Sequence, residues 1–389
     1  MEIGIVIHGP HIVDTGMALK IIEILARYGN CTARMAGTIG KTAVLDAHME
    51  NTIDIKASMK PSECIEDFFK TKDVVFLLNH GKSIYNGYYF ANIVVSKLSN
   101  RNCKPLIQVE RPSSSDGEII PWNKGSIPLA QDISRVLELP LSDVPDTVTP
   151  IRIEDHGHRI IRKVYGVHPG EKILVNGIIV GFSNSEDIQI VTEDGFITDI
   201  KGAEIKQHGL EKLHAYEDRI PIDITKCWVK SGPLRSNDFS VRSNSGHQPE
   251  IKPFTENSKP ALDMDSSQQI RVAIIDHEAE RTFEIIEDAQ VVVTVGDDTT
   301  EIAGDILYRL NIPIIGITDG DRDGFSHRTH IYPGSMVFRV MSGHDDIVGR
   351  KIKEELFLDQ KIASFNSLED IMNEIQLLVK EFIETVTHY

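Results

Sequence analysis

Five aspartates in two short turns, Asp297, Asp298, Asp319, Asp321 and Asp323, carry the clearest chemical signal in this sequence. They lie within VVVTVGDDTTEIAGDILYRLNIPIIGITDGDRDG, residues 291–324. Crowded carboxylates repel one another unless a cation or solvent relieves them, so the pattern points to a hard divalent ion such as Mg2+. Asp297, Asp319, Asp321 and Asp323 are the expected ligands of that ion, with Asp298 and Asp321 expected to act in catalysis. Gly296, Thr299 and Thr300 offer backbone N–H groups and hydroxyls to an anion at a helix start. The bland alternatives are helix capping by Asp298 or Thr299 and a solvated acidic loop, both common uses of these residues.

The surrounding pattern explains how the two turns would meet. Residues 291–295 form a β-branched apolar run. Ile302, Ala303, Ile306, Leu307 and Leu310 then recur at helical spacing, and Pro313 opens a second apolar run to Ile317. Parallel strands joined by a helix deliver both carboxyl ends to one sheet edge, where open α/β folds hold ligands. Asp319-x-Asp321-x-Asp323-Gly324 begins like a calcium loop. Its twelfth position, however, is His330 and not the bidentate glutamate such a loop needs. Residues 37–42, GTIGKT, fail the Walker spacing because Met35 stands where the first glycine belongs. A looser anion site at a helix start, using Lys41 and Thr42, is the expectation there. His8, Asn79, Lys82 and Arg111 also follow apolar runs and would line one edge as ligand-binding residues. Phosphate charge would be met by Arg322, Lys41, Lys82 or Arg111. No general-base histidine is evident beside the acidic turns, which favours a binding role over catalysis.

Strand and helix signals alternate over residues 1–145, giving a Rossmann-like α/β domain. Residues 150–230 change to short β runs separated by Asn176-Gly177 and Asp194-Gly195, dipeptides that favour tight hairpins. Residues 231–269 are rich in Ser, Asn, Pro and Lys and read as a flexible linker. The α/β pattern returns over 270–389 and closes with a helix from Ser367, capped with Asp370 and carrying an apolar stripe of Leu368, Ile371, Ile375, Leu378 and Phe382. The expected fold is α/β, with two mainly parallel doubly wound sheets, N- and C-terminal, and a small antiparallel β-domain between them.

With 389 residues the chain exceeds one core, and its 41% hydrophobic content is ordinary for a globular protein. A net charge of −17 argues against tracking a nucleic-acid backbone. The four cysteines are scattered, with no zinc spacing between them. No signal peptide or membrane-length apolar run is evident, so a cytoplasmic protein without membrane or nucleic-acid partners is expected. The expected partner is a small phosphate-bearing ligand or a nucleotide.

HGPHIVDTGMALKIIEIL, GTIGKTAVLDA and VGDDTTEIAGDILYRLNIPIIGITDGDRDG together resemble a family of uncharacterised proteins from methanogenic archaea. That resemblance spans nearly the whole chain and implies an archaeal cytoplasmic protein without supplying an activity. Residues 291–324 also resemble the G-G-D-G-T element of NAD kinases and phosphofructokinases. There an aspartate of the first turn serves metal, phosphate or catalysis. Here Val295 and Asp298 replace two of the glycines.

Overall fold

The computed structural model describes residues 1–146, 151–215, 218–232, 269–320 and 331–389. It divides the chain into two compact units, residues 1–248 and 249–389. The run read as a linker and the turn holding Asp321, Arg322, Asp323, Gly324 and His330 fall almost wholly or wholly outside the described residues.

The first unit opens with β1 (Glu2–His8), the short α1 (His11–Asp14), α2 (Met17–Leu25), β2 (Asn30–Ala36), α3 (Thr38–Asp46) and β3 (Ile53–Asp54). It continues with α4 (Pro61–Thr71), β4 (Val74–Asn79), α5 (Ile84–Ser96), β5 (Leu106–Glu110), β6 (Glu118–Pro121) and α6 (Ile127–Leu137). The sheet runs β3-β2-β1-β4-β5-β6, parallel except for β6. Strands buried on both faces need apolar residues in both registers. Ile3, Ile5 and Ile7 accordingly enter one core with Ile12, Ile21 and Ile133, while Val6 enters another with Ile65, Phe68 and Val94. The strand order reverses direction between β1 and β4. Such a reversal opens a crevice at the carboxyl ends of the two strands.

The same unit contains β7 (Ile151–Glu154), β8 (Arg159–Val164), β9 (Lys172–Val175), β10 (Ile178–Ser183), β11 (Ile188–Glu193), β12 (Phe196–Lys201), β13 (Ala203–Ile205), α7 (Gln207–Leu213) and β14 (Val229–Ser231). They form two four-stranded antiparallel sheets, β13-β10-β9-β14 and β12-β11-β8-β7, around a shared apolar core that includes Ile173, Val180, Ile190 and Ile200. Asn176 and Gly177 take φ of 49° and 86°, and Asp194 and Gly195 take 50° and 85°. Positive φ at both central residues is the geometry that matches the twist of a two-residue hairpin.

The second unit consists of β15 (Ile270–Asp276), α8 (Thr282–Ile285), β16 (Val291–Val295), α9 (Asp297–Arg309), β17 (Ile314–Thr318), β18 (Met336–Val340), α10 (Asp345–Glu355), β19 (Ile362–Phe365), α11 (Leu368–Leu378) and β20 (Ile383–His388). Its sheet runs β19-β15-β16-β17-β18-β20, with a parallel centre and antiparallel edges. Ser367 caps α11 by accepting from the Asp370 N–H, as the capping pattern predicts. The expected helix is too long, however. It stops at Leu378, and Phe382 leads into β20, where Val386 and the β-branched Thr385 and Thr387 favour a strand.

The protein is thus a mixed α/β structure with two mostly parallel sheets. Among the described residues, no helix is long and apolar enough to cross a membrane.

Candidate functional site

The carboxyl edge of the second sheet gathers more charge than its two acidic turns supply. At the end of β15, Asp276 and His277 lie with His277 Nδ1 2.6 Å from Asp276 Oδ1. His277 Nε2 faces the start of α10, 3.4 Å from Asp346 Oδ1 and 3.9 Å from Asp345 Oδ2. The nitrogen is shielded from solvent and makes no hydrogen bond among the described residues. An imidazole donating through Nδ1 to Asp276 presents a lone pair at Nε2, and a lone pair facing a carboxylate is repulsive unless a cation or proton lies between them. Ligand atoms of Asp276, His277 and Asp346 all lie within 4.8 Å of one another. Neighbouring donors on an octahedral ion with bonds of about 2.1 Å are separated by about 3.0 Å, so a small rotation of the Asp346 carboxylate would let it share one ion with Nε2. Asp276 would then serve chiefly as the outer carboxylate that fixes the ring. His277 holds a φ of 56°, a conformation a side-chain-bearing residue adopts rarely, and such strain clusters at functional sites.

The predicted residues of this edge have more modest surroundings. Gly296 begins α9 with φ 98° and ψ 145°, and a Cβ there would fall 2.6 Å from His277 Nε2. Asp297 Oδ1 accepts from the Gly320 N–H at 3.4 Å, and Asp319 Oδ2 accepts from the Gly343 N–H at 2.7 Å. These carboxylates therefore bind neighbouring loops together. Thr299 is buried, and the Thr300 hydroxyl pairs with the Thr294 hydroxyl at 2.9 Å. Asp298, in the first turn of α9, is partly exposed.

At the reversal point of the first sheet, His8 and Asn79 do meet. His8 Nδ1 lies 2.9 Å from Asn79 Oδ1, and the ring stacks on Phe90 at 3.9 Å. Asn79 Nδ2 donates to both oxygens of Glu110, at 3.1 and 2.8 Å. Glu110 is fully buried and also accepts from the Gly81 N–H at 2.7 Å and Gln108 Nε2 at 2.7 Å. Burial pushes its carboxyl up, while these donors pull it back. Gln108 is held in turn by Trp122 Nε1 at 2.9 Å.

The cations expected to meet phosphate are engaged otherwise. Lys82 Nζ donates to Glu171 at 2.6 and 2.7 Å and to the Gly166 carbonyl at 3.1 Å. Arg111 Nε donates to Asp116 at 2.9 and 3.1 Å, and its Nη1 donates to the Gly81 carbonyl. Lys41 is buried within α3, and the Thr42 hydroxyl donates to the Ile39 carbonyl at 2.7 Å. A cavity of about 410 Å³ lies at the amino end of β5, lined by Arg101, Lys104, Trp122 and Lys124 among others, and includes none of these residues.

Residues 5–360 match the family of uncharacterised proteins conserved in archaea (DUF2117). The chain belongs to this family. An uncharacterised protein of Methanocaldococcus jannaschii is similar to it, 37% identical over 390 residues, covering 98% of this chain and all of the relative. No solved structure matches the chain. The family carries no stated activity, so the geometry has to supply the functional reading.

Sequence reasoning missed His277, Asp345 and Asp346 in this family member and found no general-base histidine near the acidic turns. The structure does bring a histidine, His277, beside Gly296, where it faces Asp346 as an ion ligand would. One signal was available: Asp276-His277 directly follows an apolar run, as His8 does. The two histidines also share a setting, since Gly37 begins α3 with φ 94° and ψ 142°, close to Gly296, and a Cβ on it would approach His8 Cδ2 at 3.9 Å.

Burial lowers the His8 pKa from the usual 6.5 to about 4. Because the folded value lies below the unfolded one, the unfolded chain takes the proton first as pH falls. The contribution of His8 to stability is therefore present above pH 6.5 and lost as pH drops through 6.5 towards 4. Burial shifts His80 the same way, also to about 4. The raised Glu110 carboxyl opposes the trend. Allowing for water at the ring, the expected loss from His8 is roughly 2 kcal/mol. Urea midpoints of the parent and His8→Gln measured across this range should converge at the acidic end, and parallel curves would contradict the assignment.

Proposed function

We propose that this protein binds a divalent cation together with a phosphate-bearing metabolite or nucleotide at the carboxyl edge of the second sheet, and acts there as a phosphotransferase. The observation that carries this reading is the convergence of His277 Nε2 and Asp346 Oδ1 at 3.4 Å beside the Gly296 turn. Mg2+ suits the carboxylates. Mn2+, which shares the preference of Mg2+ for carboxylates and binds imidazole more readily, suits the mixed set. The backbone at Gly296 and the first turn of α9, with Asp297 and Asp298 beside it, would meet the phosphate and its ion. Phosphoryl transfer asks mainly for positioning and charge neutralisation, which suits this array. We further propose that both parallel sheets are doubly wound, that residues 150–230 act as a small β-domain, and that the protein works in the cytoplasm of an archaeal cell.

A second reading, a non-catalytic metabolite or metal sensor or a scaffold in a larger assembly, is favoured by one observation. Lys82, Arg111 and the Thr300 hydroxyl are already paired within the fold.

Thermal shift and calorimetry with Mn2+ and Mg2+, each with and without ATP or ADP, test the proposal. Ion binding should raise stability by RT ln(1 + [L]/Kd), about 2.7 kcal/mol at one hundred times Kd. Asp346→Asn and Asp276→Asn should each weaken Mn2+ binding by about 10–100-fold. Unchanged Mn2+ affinity in both variants would remove the cation site. If ion and nucleotide bind but no phosphate reaches any acceptor offered, the sensor reading stands and the transferase reading fails.

A further inference from the structure

The first sheet holds a separate arrangement that the cation site does not use. Its logic lies in the direction of its hydrogen bonds. Glu110 is surrounded by donors alone: two from Asn79 Nδ2, one from the Gly81 N–H and one from Gln108 Nε2. With its amide nitrogen committed to Glu110, Asn79 can offer His8 only its carbonyl oxygen. His8 Nδ1 must therefore carry the hydrogen of the 2.9 Å contact. A neutral ring protonated at Nδ1 has an acceptor at Nε2, and Nε2 has no hydrogen-bond partner among the described residues. Every group in the chain Trp122–Gln108–Glu110–Asn79–His8 is thus aligned in one sense, from both ends towards Glu110. Glu110 is buried with donors on both oxygens and the Arg111 guanidinium within electrostatic reach, and the network it anchors fixes one tautomer of the His8 ring.

The second part is charge. Lys230, on β14, adjoins Ser231, whose carbonyl and hydroxyl lie 3.3 and 3.4 Å from Lys82 Nζ in the loop after β4, and its ammonium acts on the His8 ring. It also lies within electrostatic reach of Lys82 and Glu171. A ligand at this edge would meet a positive group on one side and a fixed acceptor on the other. An anion without a proton satisfies only the first. A protonated oxyanion satisfies both.

We propose that the crevice between β1 and β4 binds a protonated oxyanion, a phosphate or phosphomonoester, whose P–O–H donates to His8 Nε2 while its charge faces Lys230. Asn79 and Glu110 are positioning residues that hold the acceptor in place. The site is independent of the cation site on the second sheet, and either can fail without the other.

The test is NMR of the full-length chain with ¹⁵N-labelled histidine, titrated near neutral pH with inorganic phosphate and separately with sulfate. Sulfate matches phosphate in shape and charge but has no proton to donate at that pH. His8 should give the Nδ1–H tautomer, with an Nε2 signal that moves saturably with phosphate. Sulfate should bind about tenfold more weakly or worse, since it leaves the acceptor unpaired. Lys230→Gln should weaken both anions, and Asn79→Ala should convert His8 to a mixture of tautomers. Should Asn79→Ala fail to fold, the parent and Lys230→Gln titrations still decide the matter. Equal response to the two anions, no response to phosphate, or a proton on His8 Nε2 would each overturn the proposal.

Discussion

Alanine in place of Gly296 should abolish cation binding at the second sheet and destabilise the chain by about 1–3 kcal/mol. Two causes act together. The backbone at 296 has φ 98° and ψ 145°, a region open to glycine and strained for any residue with a Cβ. The new methyl would also fall 2.6 Å from His277 Nε2, the atom placed to receive the ion. His277 cannot retreat without leaving Asp276, to which its other nitrogen is tied at 2.6 Å. Gly37→Ala separates the two causes. Its backbone is nearly the same, yet its nearest neighbour is His8 Cδ2 at 3.9 Å. It should show the strain without the collision and leave Mn2+ affinity intact. Calorimetric Mn2+ titration and urea unfolding of both variants are the measurements. Parent-like Mn2+ affinity in Gly296→Ala would sink the claim that His277 Nε2 is a ligand.

The second large effect is expected at Gly87. A Cβ there would lie 1.9 Å from Glu110 Cδ and 2.2 and 2.3 Å from its oxygens. Glu110 is fully buried and held by donors on both oxygens, so it has nowhere to go. Gly87→Ala must either break those bonds or shift α5 away from β5. The expected cost is about 3 kcal/mol or more, the upper range for overpacking plus that of buried donors left unpaired. It should be seen as a lower urea midpoint at an unchanged slope. Gly125→Ala is the control, because its nearest neighbour is Asn123 Oδ1 at 3.6 Å, and it should stay within about 0.5 kcal/mol of the parent. A Gly87→Ala midpoint as close to the parent as that of the control would mean the carboxyl is less firmly held than its contacts imply.

How far the sequence could be read depended on the range of each interaction. The hairpin turns at Asn176-Gly177 and Asp194-Gly195 were legible because two adjacent residues set the backbone. The Ser367 cap was legible for the same reason. The strand ends bearing His8, Asn79, Asp297 and Asp319 were visible in the alternation of apolar runs and turns. Strands β18, β19 and β20 were missed. They are short, two are edge strands, and β20 alternates threonine with other residues without the apolar pattern of a buried strand. Asp346 was not readable as a site residue, since only the sheet brings the start of α10 beside the end of β15. Lys82 shows the converse. A lysine past a strand end reads as a ligand group until Glu171, 89 positions away, is seen to occupy it.

That same lysine bears on how the chain reaches this structure. Its ammonium joins the loop after β4 to Glu171 and to Ser231, the latter 149 positions further along. Closing so wide a span forfeits chain entropy before any contact rewards it, and contacts of this kind form late. The strands of the first sheet pair across at most 71 positions, whereas the loop bordering the His8 crevice waits for β14. During synthesis, then, a ribosome-bound chain would hold its first sheet well before it held a finished crevice.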